Sequence, residues 1–98
     1  MEATEITTRQ QIADMQAQRL PTMAWRVVQH PRPDWALDKA ALTDALELAA
    51  AEVLESGREF DEIPYKEKRS IVRTCYEHCR ERNRAFMRVW EEAGGVRQ

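Results

Sequence analysis

Glycine and proline are scarce in this chain, with three and four among 98 residues. A many-turned β-sandwich needs frequent turn residues, so the composition excludes it. Long apolar runs are also missing. The richest stretch, Ala40 to Leu54, is broken by Asp44, Glu47 and Glu52, so it does not read as a membrane span. Glu2 and Glu5 stand where a secretion signal would carry basic and then apolar residues, and the expected location is cytoplasmic. Cysteine is limited to Cys75 and Cys79. Their spacing makes no disulfide framework and fits reduced thiols. No glycine-rich phosphate loop, dinucleotide fingerprint or nucleophile elbow occurs, and adjacent acids such as Asp61-Glu62 diverge rather than form a dyad. The chain reads as a non-enzyme without a cofactor.

Hydrophobic residues make up 43% of the chain and charged ones 33%, and the apolar ones are patterned as in a folded domain. The length favours one domain, residues 1–98, with a small core. The expected fold is all-α: a bundle of three or four helices ending in an antiparallel hairpin.

The first segment, 1–20, reads as a helix with a thin apolar stripe, loosely packed, with a capping box at Thr7 and Thr8. Leu20-Pro21 interrupts it, and Pro21 suits the first turn of a new helix. The run Met23 to Val28 fits a strand or a short helix, and helix is preferred because no strand lies nearby to pair with it. Two prolines make His30 to Asp34 a stiff connector. A helix over 38–56 follows, rich in Ala, Leu and Glu, capped by Asp34 or Asp38. Its stripe is Leu42, Ala45, Leu46, Ala49 and Val53, broadened by Ala41, Leu48 and Leu54 so that it suits more than one neighbour. Gly57 is its left-handed cap. A polar turn anchored by Phe60 and Ile63 leads through Pro64 to a last helix over 65–92, ~40 Å long. Tyr65, Val72, Cys79 and Phe86 mark its stripe, which Lys68 and Arg82-Asn83 interrupt. This helix outruns its hairpin partner, leaving Phe86, Val89 and Trp90 to be covered by the N-terminal helices or by a second copy, which suggests a homodimer.

Charge is divided along the chain. Residues 1–64 hold twelve acids and six bases, for −6; residues 65–98 hold five acids and nine bases, for +4. The arginines of the last helix either meet an anionic partner or pair at home, with the acidic helix or with Glu77 and Glu81 three or four residues away.

Cys75 and Cys79 share one helix face, with His78 at its edge and His30 distant. A structural zinc site needs four ligands, so the thiols read as small core residues. Trp25 and Trp35 read as packing residues. Arg80, Arg84, Phe86, Met87, Arg88 and Trp90 form the candidate partner-binding patch, since Arg and Trp are favoured at protein interfaces. The expected function is that of a protein-binding adaptor, inhibitor or accessory regulator. The alternatives are a nucleic-acid binder using Arg69, Arg73, Arg80, Arg84 and Arg88 on phosphates, and a metal or redox sensor through the two cysteines.

Overall fold

The alternation of apolar stripes and breakers yields three α-helices: α1 (Thr8–Gln29), α2 (Pro33–Ser56) and α3 (Tyr65–Glu92). One 3-10 turn, Phe60–Glu62, precedes α3, and there is no strand among the described residues. A computed structural model describes residues 8–95; Thr7, and with it part of the expected capping box, lies outside them. The fold is the expected small all-α bundle. No described helix is long and apolar enough to cross a membrane.

The segment placed before Pro21 and the one placed after it are a single helix, with Pro21 exposed inside α1. Proline cannot donate to the carbonyl four residues back and costs a helix interior ~3 kcal/mol. Tertiary burial outweighs that cost. Gln16, Leu20, Ala24 and Val27 are buried on one face, spaced every four or three residues on both sides of the proline. The backbone N–H of Arg9, one of the donors a helix start leaves unpaired, is taken by the Glu55 carboxylate of α2.

The connector is shorter than expected, and α2 begins at Pro33 rather than at residue 38. Pro33 occupies the first helical turn, which tolerates its missing N–H. The Ala36 N–H reaches the Arg32 carbonyl at 3.0 Å, Asp34 lies in the first turn, and neither it nor Asp38 is the cap. Gly57 closes α2 with φ 74° and donates its N–H to Leu54. After it, Arg58 grips both carboxylate oxygens of Glu67, the acid in the first turn of α3. Ile63 is buried in the turn, whereas Phe60, expected as a second anchor, faces out. At the far end of α3, Gly94 is left-handed, and the Gly95 N–H returns to the Trp90 carbonyl at 2.9 Å.

Cross-helix contacts set the topology. Arg9 meets Glu52 and Arg19 meets Glu47, while Arg84 meets Asp38 and Arg82 meets Asp44. Both α1 and α3 therefore run antiparallel to α2, which lies between them. Its inward residues are chiefly Ala41, Ala45, Leu48, Ala49 and Ala51; Leu42, Leu46 and Leu54, expected in the core stripe, are exposed. Small residues let two neighbours approach one helix closely. The result is a slab of 47 × 37 × 15 Å, thin enough that α2 and α3 each retain an uncovered side.

Two apolar clusters fill the slab. One contains Ala41, Ala45, Leu48, Ala49, Cys75 and Cys79, with Ile12, Ile71, Val72 and Tyr76 against it. The other contains Ala24, Val27 and Met87, with Met23, Leu37, Phe86 and Trp90. Between them runs a polar layer. Gln16 Nε2 donates to the Asp44 carbonyl at 2.9 Å and to Glu47 Oε1 at 3.0 Å. Arg82 donates through Nη1 to Gln16 Oε1 at 3.0 Å, through Nη2 to Asp44 Oδ2 at 2.7 Å, and through Nε to Asn83 Oδ1 at 3.1 Å. Gln16 and Asn83 are the largest fully buried side chains in the described chain. A buried polar group is costly unless satisfied, so sliding any helix by one turn would break this layer. It acts as the register lock of the bundle.

Candidate functional site

The patch expected at the end of α3 is dispersed by the fold. Met87 is buried, and Phe86 and Trp90 are half-buried in the second apolar cluster. The cover comes from α1 and from the early start of α2, so the overhang that suggested a second copy is largely absent; of the expected trio only Val89 is exposed. Arg80 and Arg84 do not use Glu77 or Glu81. They reach across to Asp38 at 3.7 and 3.2 Å. Arg88 remains exposed and lines a depression with Asp34 and Glu91, where charges of both signs meet.

Cys75 and Cys79 are buried free thiols. Burial raises both: Cys75 against a smaller pull from Arg9, and Cys79, to about 11, against one from Arg82. Such thiols stay protonated at neutral pH, and the nucleophile and metal ligand is the thiolate. Among the described residues no three of the His, Cys, Asp or Glu side chains are gathered to hold a metal ion. His78 is exposed, and His30 Nδ1 accepts the Arg32 N–H at 2.9 Å while its ring lies 5.4 Å from Trp35.

In the polar layer, desolvation pushes the Asp44 carboxyl up, against the pull of Arg82 and Asn83. Glu47 moves the other way, held low by hydrogen bonds from Arg19 and Gln16. Every member has a partner within the chain, and none lines the groove or hollow on the uncovered side of α2 and α3. The layer is structural.

The uncovered side of α2 and α3 is different. On α2, Trp35, Lys39, Leu42 and Leu46 follow one another at intervals of four, three and four residues; the rings and leucines are exposed and Lys39 lies at the surface. On α3, Tyr65, Arg69, Val72 and Tyr76 repeat the same intervals, with Tyr65 and Arg69 exposed and Val72 and Tyr76 half-buried. These spacings put each set on one helix face. The two faces meet in a groove of about 510 Å³, whose apolar and aromatic lining is Leu42, Phe60, Tyr65, Val72 and Tyr76. A second hollow continues it from Leu42 and Tyr76 to Trp35. Leu42 is 44% exposed, Trp35 47%, Phe60 59% and Tyr65 73%. A cluster of this kind on one face is more than the scattered apolar residues of an ordinary surface. Trp35, expected as a packing residue, is thus a wall of the groove, and Trp25 is exposed as well.

The rim is cationic. Lys68, Arg69 and Arg73 line the larger part, and no acid does. Lys68 Nζ sits 4.0 Å from the centre of the Phe60 ring, and Lys39 Nζ 4.9 Å from that of Trp35. Among the described residues Arg69 and Arg73 form no ion pair, in contrast to Arg80, Arg82 and Arg84. Of the five arginines expected as phosphate contacts, Arg80 and Arg84 are paired with Asp38 and Arg88 lines the other depression, so only Arg69 and Arg73 lie on the groove.

Comparison with family models, with characterised proteins and with solved structures finds no match to this chain.

Proposed function

We propose that this protein is a non-enzymatic protein-binding module of the cytoplasm, a small adaptor, inhibitor or accessory regulator that acts by occupying its partner's surface. The supporting observation is the α2–α3 groove, where two helices offer apolar side chains at matched helical spacing with no covering element among the described residues. Aromatic and arginine side chains around an apolar centre are the composition of interface hot spots. The proposed contact surface is accordingly the first half of α3 with α2, and Arg88 with the Trp90 end takes a secondary place.

Photo-crosslinking in the native host tests this reading. A benzophenone amino acid at Leu42 should trap a heterologous protein, and the same group at Met15, an exposed residue of α1, should not. Equal trapping from both positions, or none from Leu42, would count against the groove.

Nucleic-acid binding is the second reading, favoured by Arg69 and Arg73, which form no ion pair among the described residues and lie beside Tyr65 and Tyr76. Phosphate contacts would weaken binding steeply with salt, whereas apolar docking would be much less sensitive.

A further inference from the structure

The groove has the geometry of a missing helix seat. Packed helices meet along stripes spaced alternately by three and four residues, whose side chains leave holes for the knobs of a neighbour. Trp35, Lys39 and Leu42 on α2 line the groove with Tyr65, Arg69, Val72 and Tyr76 on α3, across antiparallel axes. An extended strand would need an open sheet edge to pair with, and the described residues contain none. An amphipathic helix needs only an apolar channel and would read it at the i, i+3, i+4 and i+7 positions of its own face.

Charge selects among helices. Three cations and no acid line the larger part of the groove. Asp38, the acid at the Trp35 end, is already engaged by Arg80 and Arg84, and Glu67 by Arg58. Lys39 and Lys68 lie against ring faces, which leaves their charge available at the rim. A second copy of this chain would bring its own cationic rim against this one. A phosphodiester strand would find Leu42 and Val72, which offer no stacking face, beside the rings of Tyr65 and Tyr76.

Resting on the protein-binding reading above, we infer that the α2–α3 groove takes an acidic amphipathic helix of another protein, its apolar stripe against Leu42, Val72 and Tyr76 and its carboxylates against Lys68, Arg69 and Arg73.

The test is selection of a phage-displayed library of random peptides, roughly four turns or about 16 residues long, on the full chain, followed by binding of the synthetic winners. The expected winners carry apolar residues at helical spacing with an excess of Asp and Glu. They should bind at least ~10-fold more weakly to Leu42→Asp, to Leu42→Ser and to the double variant Lys68→Glu/Arg73→Glu. All these positions lie at the surface or its edge, and unchanged circular dichroism and urea midpoints verify the fold. Winners that depend on Leu42 but show no acidic excess and ignore the charge reversal overturn the acidic helix while leaving a protein-binding groove. Winners indifferent to Leu42, or no enrichment at all, overturn both. Displacement of the winners by oligothymidylate makes the occupant nucleic acid. A dimer in sedimentation that Leu42→Asp dissociates makes it a second copy.

Discussion

Arg82 of α3 and Gln16 of α1 lie 66 positions apart in the chain and meet at 3.0 Å inside the bundle, Nη1 donating to Oε1. Because Arg82 also holds Asp44 of α2, one side chain ties all three helices. This explains why a thin slab with an Ala-lined central helix keeps a single alignment of its helices.

Arg82→Met should therefore destabilise the fold. Breaking one partner of a fully buried pair costs ~3–5 kcal/mol. The Arg82 and Asp44 side chains retain 21% and 15% of their exposure, so solvent screening lowers the expected loss to about 2 kcal/mol. Urea denaturation checks it, and a double-mutant cycle with Asp44→Ala should show coupling between the two sites.

The two acids of this layer give stability a pH dependence of opposite sign. Glu47 is held below its ordinary value of 4.5. Its contribution is present above that value and is lost as pH falls through the lowered one. Asp44 is raised above 3.8 by burial. Its charge costs stability at neutral pH, and protonation relieves that cost as pH falls through the raised value. Glu47→Gln should flatten the acid-side loss of stability, and Asp44→Asn should remove the opposing gain. Denaturant midpoints from neutral pH downward measure both.

The Cys79 thiol, pushed up to about 11, should react with a thiol-exchange reagent at neutral pH only through opening of the helices. Native protein should label slowly and urea-unfolded protein at once. Labelling of Cys79 as fast as a free thiol would place it outside the core.

Gly57 holds φ 74°, and a Cβ at this position would meet nothing within 4 Å, so backbone conformation alone sets the cost of replacing it. Gly57→Ala should lose about 1 kcal/mol, and Gly57→Asn less, because Asn tolerates the left-handed region. Thermal melts ranked Gly, Asn, Ala are expected.

Much of the fold is legible in the sequence. The last helix spans Tyr65–Glu92 as its lack of glycine and proline predicts, and Gly57 adopts the left-handed cap. Pro21 misleads because a local breaker is overruled by the buried face running through it. The inside of α2 misleads because alanine and leucine score alike as apolar, and only packing between two neighbours turns Ala41, Ala45 and Ala49 in and Leu42 and Leu46 out. The polar layer leaves one trace, the interruption at Arg82-Asn83, whose meaning depends on partners in other helices. The groove is hidden for the same reason: Tyr65 and Val72 belong to a stripe that looks like core until the slab proves too thin to cover it.

The central claim, that the protein docks its partner in the α2–α3 groove, is tested most directly by a proton–nitrogen spectrum of the full chain titrated with a selected peptide. Shifts concentrated at Trp35, Leu42, Val72 and Tyr76, with Arg88 and Trp90 unmoved, are predicted. Shifts centred on Arg88 and Trp90, with the groove unmoved, would contradict it.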